Sequence, residues 1–588
     1  MLRTHTCGEL RAECAGERVR LAGWVHHKRH HGGVLFIDLR DRYGRTQITF
    51  KPESRDLFEI AEKLGHETVI AITGTVTVRP KEARNSELST GEIEVIVEKM
   101  DILSVAETPP FVIEDDVNAT EETRLKYRYL DLRRPEMRDA ILMRSRASRI
   151  ARNFLYEKGF IEIETPTMVR STPEGARDFL VPSRLQKGKF YALPQSPQVY
   201  KQLLMIAGFD RYFQLARCYR DEDLRADRQL EFTQIDIEMS FVEEADVLDL
   251  AEKLLAKLIA ELRGVNLQLP LRRIPFDEAM LKYGSDKPDL RFGLEIHDVS
   301  EIAAKSGFKV FSETIENGGA VRGICVLGGA AFSRKIIDEL TSKARKLGAK
   351  GLAQTKFVDG AFTGGIAKFL DDAESARYIE EFHPDDGSML VFVADKPATC
   401  AAALGALRID MANRLGLVEE NRWEAHFVVD FPMFETDEET GRLVARHHPF
   451  TQPVQKDLPL LESDPMSVRA RAYDLVLNGN EIAGGSIRTH DPETLARVLS
   501  AIELSESKAR DKFGFLMDAM RFGAPPHGGI AFGYDRMIML LAGRDSIRDV
   551  IVFPKTTAGQ SLMDGCPNSV DAKQLEEIGI RIIEEGKA

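Results

Sequence analysis

The chain is poor in the features that mark secreted, membrane-embedded or disulfide-held proteins. Its 588 residues contain only six cysteines (Cys7, Cys14, Cys218, Cys325, Cys400 and Cys566), none in a CxxC pair. Neither a zinc ribbon nor a disulfide framework is indicated, and a reducing cytoplasm fits best. The amino terminus lacks a basic segment leading into an apolar one, and no run of roughly 18 uncharged apolar residues occurs, which argues against secretion and membrane spanning. Neither G-x-G-x-x-G nor G-x-x-x-x-G-K-[ST] is present, so Rossmann and P-loop nucleotide binding lose support and phosphate binding would have to be arginine-based. Net basic charge is also missing: 80 Lys and Arg against 93 Asp and Glu leave −13, which opposes whole-molecule attraction to a polyanion. Any nucleic-acid site must therefore be a local patch. What remains is ordinary, with 43% apolar and 29% charged residues, 44 Gly and 25 Pro, which excludes collagen and disorder throughout. The length predicts about four domains.

Residues 1–106 read as a small β-barrel. Short β-prone runs occupy 19–25, 34–38, 46–50, 69–76 and 93–97, with a helix-like DLFEIAEKLG between the third and fourth. Oligonucleotide-binding barrels commonly have this order, although five-stranded barrels also do other work. A hinge follows over 107–130, carrying Pro109-Pro110 and a polar, acidic stretch. Beyond it, Ala147, Ile150, Ala151 and Phe154 recur at helical spacing, Gly159 stops the helix, and a period-two strand over 160–164 ends at Thr165-Pro166. Val247, Leu250, Ala251, Leu254, Leu255 and Leu258 mark another amphipathic helix. Residues 286–415 are Gly/Ala-rich with few convergent polar motifs and read as an inserted α+β domain. The domain interrupted by it then spans 131–285 and 416–557, and 558–588 forms a C-terminal extension.

Three segments concentrate the chemistry. In RCYRDEDLRADRQLEFTQIDIEMSF (217–241), arginines alternate with acids in a hairpin-like loop, and Phe232, Gln234, Asp236 and Glu238 then alternate with Thr233, Ile235 and Ile237. The loop alone is compatible with a solvated salt-bridge network, whereas the alternation puts polar groups on one face of a strand buried on the other. In YDLVLNGNEIAGGSIRTH (473–490), Asp474 and Glu481 bracket a turn at Asn478-Gly479. Paired strands would bring the two carboxylates into an oxygen-rich site suited to Mg²⁺, although a surface hairpin is an equal alternative. Arg488, after two glycines, could clamp a carboxylate with parallel hydrogen bonds. In PPHGGIAFGYDRMIMLLAG (525–543), glycines allow close backbone approach to a flat ligand and Arg536 adds fixed positive charge, or the segment is simply a glycine-rich strand under a core helix.

The helix-strand-proline unit ending at Pro166, the arginine loop around Arg220 and the GGIAFGYDR segment ending at Arg536 resemble, in order, motifs 1, 2 and 3 of class II aminoacyl-tRNA synthetases. TPEGARDF (172–179), QSPQVYKQLLM (195–205), RDEDLRADRQ, HHPFT (447–451) and GGSIR are similar to the bacterial aspartyl branch over essentially the whole chain. The resemblance implies an α+β multidomain protein: an N-terminal OB-fold barrel that binds the anticodon, an antiparallel class II sheet flanked by helices, and the inserted α+β domain. It implies ATP, L-aspartate and tRNA(Asp) as substrates, Mg²⁺ as cofactor, and a homodimer with Pro166 at its interface. By the same resemblance Arg220, Glu222 and Arg536 are catalytic. Arg220, Asp221, Glu222, Gln229, Phe232, Glu481, Gly533, Tyr534, Asp535 and Arg536 bind ATP, and Asp474 and Glu481 hold the metal. Glu174, Gln198, Lys201, Arg220, Asp236, His447 and Arg488 surround aspartate, with His447 and His448 on a mobile substrate-sensing loop. On the barrel, Arg29, His31, Phe36 and Gln47 would read the anticodon, with Phe36 stacking on a base unless it is barrel core. The His30-His31-Gly32-Gly33 loop resembles members that also charge tRNA(Asn), while Lys81 does not decide the range. An asparaginyl enzyme and a noncatalytic tRNA-binding scaffold are the rival readings; the QSPQVYK stretch and the insertion speak against the first, and Arg220, Glu481 and Arg536 against the second.

Overall fold

The computed structural model describes residues 2–172, 176–419, 421–437 and 440–583. They form two compact units, Met1–Arg144 with Leu224–Gln229 and Ser546–Val570, and Ser145–Asp223 with Leu230–Asp545 and Asp571–Ala588. Residues 131–144, expected in the catalytic part, thus fall in the first unit, and helix α1 (Pro135–Glu157) begins in one unit and ends in the other.

The first unit is built on a closed barrel of β1 (Arg18–His31), β2 (Val34–Arg40), β3 (Arg45–Phe50), β4 (Val69–Val78) and β5 (Ile93–Ser104), ordered β1-β2-β3-β5-β4. Alternation along β2 decides its lining: Leu35, Ile37 and Leu39 join Val19, Leu21, Ile48 and Val95 in the core. Phe36 and Asp38 therefore take the opposite face, which removes the alternative that Phe36 is core. β1 continues well past residue 25 and turns back through Gly32 and Gly33, both at positive φ. Lys28–His31 gave no apolar alternation because this end of the hairpin covers no core.

The second unit holds an eight-stranded sheet: β6 (Ile161–Glu162), β7 (Arg211–Tyr219), β8 (Glu231–Ser240), β9 (Arg272–Pro275), β10 (Ala425–Val429), β11 (Ala472–Leu477), β12 (Asn480–Ile487) and β13 (His527–Gly533). Its order is β9-β10-β11-β12-β13-β8-β7-β6, antiparallel except for the β9/β10 and β6/β7 pairs. The helices that position the site are α2 (Gln198–Ile206), α3 (Glu244–Arg263), α4 (Phe276–Tyr283), α5 (Pro397–Arg414) and α6 (Tyr534–Leu541). α3 forms as its apolar spacing dictates: a Glu243/Asp246 capping box starts it, Gly264 in the left-handed region ends it, and Leu254, Leu255 and Leu258 are fully buried. Each such leucine stabilises the packing by about 1.5–3 kcal/mol.

Between α4 and β10 the chain builds a separate five-stranded sheet, ordered Ile296–Asp298, Ala320–Val326, Ser388–Asp395, Ala353–Val358, Ala361–Thr363. Helices cover it, with one core around Leu340, Leu404 and Leu407 and another around Phe311, Tyr378 and Phe392. β6 is shorter than the strand expected over 160–164: Phe160 is buried, while Ile161 is 47% exposed and Pro166 lies on the surface.

Candidate active site

The sheet assembles a buried charge cluster on β8. Asp236 stands opposite Ala531 of β13, and Glu238 opposite Gly529. The small partners leave room, since a methyl at Gly529 would meet Glu238 Oε2 at 2.1 Å. α2 delivers Lys201, whose Nζ lies 2.5 Å from Asp236 Oδ1 and 3.1 Å from Glu238 Oε2. Just beyond β12, Arg488 donates from Nε and Nη2 to Glu238 at 3.0 and 3.3 Å and from Nη1 to Ser486 Oγ at 2.7 Å. All four charged side chains are buried. Two cations and two carboxylates sum to zero, and the pairing offsets a desolvation cost of several kcal/mol per isolated ion.

Burial opposes the charge on Glu238, but Arg488, Lys201 and His527 hold its carboxyl down at about 2. Burial dominates at Asp236, whose carboxyl lies above the usual range despite Lys201. The cluster retains recognition capacity. Arg488 commits three of five N–H donors, so two remain for a ligand carboxylate. Asp236 Oδ2 and Gln198 Nε2 are buried without a protein hydrogen-bond partner, and Gln198 and Lys201, three apart on α2, share a helix face. An acceptor seeking a donor, a donor seeking an acceptor and a half-used guanidinium suit an amino acid bearing a second carboxylate. Glu238 and Ser486 were not assigned from sequence; Lys201 and Arg488, expected to pair with the substrate side-chain carboxylate, are here paired with Asp236 and Glu238.

The Asn478-Gly479 turn has φ 49 and 75, as a tight hairpin requires. A bulge between Leu475 and Val476 sets Glu481 opposite Val476 and Asp474 opposite Gly484. A methyl at Gly484 would lie 2.9 Å from Asp474 Oδ1 and 3.6 Å from Glu481 Oε1, so the two carboxylates converge above this glycine. Burial, then Glu481 and Asp286, push the Asp474 acid well above the usual carboxylate range. Converging oxygens that repel one another form a donor set a hard dication would relieve, and Mg²⁺ fits it.

Around this lie the arginine segments. Arg220 begins the loop after β7, its guanidinium 5.1 Å from the centroid of the half-buried Phe232 ring and its buried Nε without a protein partner. Asp221 donates its N–H to the Arg177 carbonyl at 3.1 Å, and Glu222 is half-buried beside it. Arg536, in the first turn of α6, donates from Nη1 to the Glu481 carbonyl at 2.6 Å. Gly533 pairs with Gln234, the Tyr534 hydroxyl lies 2.6 Å from Ser148 Oγ, and Asp535 accepts from the Thr233 N–H at 2.7 Å. Thr451, close after His447 and His448, bridges to Arg488. Burial, followed by Arg446 for the first and Arg488 for the second, holds these histidines neutral, at about 4 and about 3.

Gln229 lies in the first unit, where its side-chain amide exchanges hydrogen bonds with the Lys555 backbone at 3.0 and 2.8 Å. Glu174 lies outside the described residues.

On the barrel, Arg29 pairs with Phe36 across β1 and β2, and Gln47 with Asp38 across β2 and β3. Arg29 Nη2 donates to Asp38 at 3.0 Å, Gln47 Nε2 donates to Glu94 at 3.0 Å, Phe36 is half-buried beside them, and His31 is exposed at the turn. His26, His27 and Glu114 also bring ligand-type atoms within 4.8 Å of one another. They do not make a metal site: Arg40 Nη1 donates to His26 Nδ1 at 3.0 Å, which leaves the proton on Nε2 and no lone pair to offer.

A five-stranded barrel, and a largely antiparallel sheet with Arg220 and Arg536 just beyond β7 and β13, are the arrangement that the resemblance to class II aminoacyl-tRNA synthetases implies. Residues 120–557 match the family described as tRNA synthetases class II (D, K and N), and residues 19–103 match the OB-fold nucleic acid binding domain. The chain belongs to this D, K and N family of class II tRNA synthetases. It is 52% identical over 581 residues to the aspartate–tRNA(Asp/Asn) ligase of Caldanaerobacter subterraneus subsp. tengcongensis, covering 99% of this chain and 98% of that one. It is 51% identical over 585 residues to the aspartate–tRNA ligase of Geobacillus kaustophilus, covering 99% of each. The solved asparaginyl-tRNA synthetase of Pyrococcus horikoshii, complexed with asparaginyl-adenylate, shares the fold with TM-score 0.59 at 20% identity, over 95% of this chain and 99% of that one.

Proposed function

We propose that the protein activates L-aspartate with ATP, releasing pyrophosphate, and transfers the aspartyl group from aspartyl-adenylate to the 3′ end of tRNA(Asp) and also of tRNA(Asn). The observation that carries the amino-acid assignment is the buried Lys201–Asp236–Glu238–Arg488 cluster with its unused donors and acceptors. A second carboxylate accepts from both remaining Arg488 hydrogens. The amide nitrogen of asparagine would oppose donor to donor, a mismatch a buried site penalises heavily. The relatives' names support the same substrate, and the exposed His31 turn supports the wider tRNA range.

The substrate carboxylate is already a nucleophile, so catalysis is positioning plus neutralisation of the charge growing on the α-phosphate. In this reading Asp236 Oδ2 accepts from the substrate ammonium, Gln198 and His447 complete the amino-acid pocket, and Arg220 faces the α-phosphate and reacting carboxylate. Phe232 stacks on adenine, Asp221, Glu222, Gly533, Tyr534 and Asp535 hold the rest of ATP, and Arg536 grips its outer phosphates. Asp474 and Glu481 hold Mg²⁺, which when bound supplies positive charge against the triphosphate. Exposed Pro166, with Ile161 and Met168 at 47% and 59% exposure, gives a homodimer an apolar surface to cover. A cytoplasmic setting suits a chain whose cysteines form no disulfide, and no described helix is long and apolar enough to cross a membrane.

The test is amino-acid-dependent pyrophosphate exchange, followed by charging purified tRNA(Asp) and tRNA(Asn) side by side. Exchange with aspartate and not asparagine, and esterification of both tRNAs, are expected; exchange with asparagine alone would reject the amino-acid assignment. Replacing Phe36 with Ala should lower kcat/KM for tRNA charging about tenfold, the loss of one base stack, and leave exchange unchanged. An equal loss in both assays would mean that Phe36 only supports the barrel.

A further inference from the structure

We infer that the root of the inserted domain is a working part of the amino-acid pocket, with Asp286 as a positioning residue for the segment 446–451. Before the insertion, α4 ends at Gly284, where a methyl would strike the Ala401 carbonyl at 2.2 Å; a methyl on Gly405 of α5 would in turn strike the Gly284 carbonyl at 2.6 Å. The insertion's last helix and its entry strap are therefore in backbone contact. Arg408 of α5 fixes the rest of the strap. It is buried between the rings of Tyr283 and Phe292, at 4.9 and 4.5 Å, and donates to the carbonyls of Asp289, Phe292, Gly293 and Leu294 at 2.8–3.3 Å. A buried guanidinium spent on four backbone carbonyls holds a loop in one shape.

That shape sets the strap against the catalytic strands. A methyl on Gly479, in the turn joining β11 and β12, would touch Asp289 Cβ at 2.9 Å. Asp286 Oδ2 reaches Arg446 Nη2 at 3.5 Å, while Arg446 Nη1 lies 3.2 Å from Glu435 and the guanidinium sits 4.6 Å from the Phe276 ring centroid. From Arg446 the chain runs through His447 and His448 to Thr451, and this end is tied to the Arg488 strand. The Thr489 N–H donates to the Phe450 carbonyl at 2.8 Å, the Gln452 N–H to the Ile487 carbonyl at 2.9 Å, and Thr489 Oγ1 to the Thr451 carbonyl at 3.0 Å. One end of the six-residue span is thus anchored on the carboxylate clamp, the other on the insertion root through Asp286. The insertion's own sheet need not touch a substrate for its root to shape the site.

This inference rests on aspartate being the substrate, and its test separates the two. In Asp286→Asn, KM for aspartate should rise roughly fivefold, modest because the pair is half-exposed, with KM for ATP and kcat within twofold of native; Asp286→Glu should restore it. In the ligand-free protein, backbone amides of 446–451 should exchange hydrogen several-fold faster in Asp286→Asn and return to native protection in Asp286→Glu. Native KM and native amide protection in Asp286→Asn would overturn the inference. So would an equal rise in both KM values with a lowered melting temperature and no rescue, which would leave Asp286 a role in folding alone. If the native enzyme fails to exchange pyrophosphate with aspartate, the substrate assignment falls, and amide exchange still decides whether Asp286 positions the segment.

Discussion

Arg488→Leu is expected to lower kcat/KM for aspartate in pyrophosphate exchange by about a thousandfold, with ATP affinity within about twofold of native. The substitution removes the two guanidinium hydrogens left for a ligand carboxylate, and it also takes from Glu238 the partner that approaches it through two nitrogens. Among the described residues Glu238 then keeps one ion-pair partner, Lys201, which Asp236 shares. Breaking a buried pair on one side typically costs about 3–5 kcal/mol, and a thousandfold in rate is about 4 kcal/mol, so the clamp alone accounts for the effect. ATP should be spared because Arg220 and Arg536 sit on other segments, and Phe232, six residues before Glu238 on β8, lies against Arg220 at 5.1 Å. Steady-state exchange with aspartate and ATP varied separately distinguishes the cases. Near-native kinetics would reject the clamp, and parallel loss of ATP binding would mean that the sheet itself had been disturbed.

The parts of this site that were legible in the sequence are those whose local pattern and chemistry agree. The glycines of β12 and β13 announced close approach, and Gly529 and Gly484 are where a methyl would strike Glu238 or Asp474. The Asn478-Gly479 dipeptide announced the hairpin that brings Asp474 and Glu481 together. Glu238 was visible only as one of three alternating polar residues on β8. Nothing in the alternation says which of Gln234, Asp236 and Glu238 is compensated, because its partners are 37 residues upstream at Lys201 and 250 downstream at Arg488. Phe36 stayed ambiguous for a related reason: β2 carries apolar residues on both parities, and only closure of the barrel shows that Leu35, Ile37 and Leu39 fill it. The partner of Gln229 was not legible because it sits on a charged loop with no periodicity to fix its direction; its amide closes on the backbone of Lys555. The insertion showed no motif because its contribution comes through its root, where Arg408 acts on carbonyls, which have no sequence signature.

Glu238→Gln should give the second large effect, and one that depends on pH. The Glu238 carboxyl is held at about 2 in the folded protein against an ordinary 4.5. A folded value below the unfolded one means that the stabilisation is fully present above pH 4.5 and drains away as pH falls toward 2. A separation of that size corresponds to about 3 kcal/mol. Glutamine keeps the shape but not the charge, leaving Lys201 and Arg488 to share Asp236 alone, with one buried positive charge uncompensated. At pH 7 the variant should therefore unfold about 3 kcal/mol more easily, and the gap to native should narrow steadily between pH 4.5 and pH 3. Exchange with aspartate at pH 7 should fall at least about a hundredfold, since the glutamine amide keeps one acceptor and sets its NH2 against a guanidinium N–H, so the two-point contact that fixes the plane of Arg488 is broken and a bidentate clamp depends on that plane. Urea unfolding of native and variant proteins across that pH range, followed by a probe in the second unit, checks the first expectation. A difference that stays constant with pH would mean that Glu238 contributes packing and not charge, and the neutral four-residue cluster would lose its electrostatic basis.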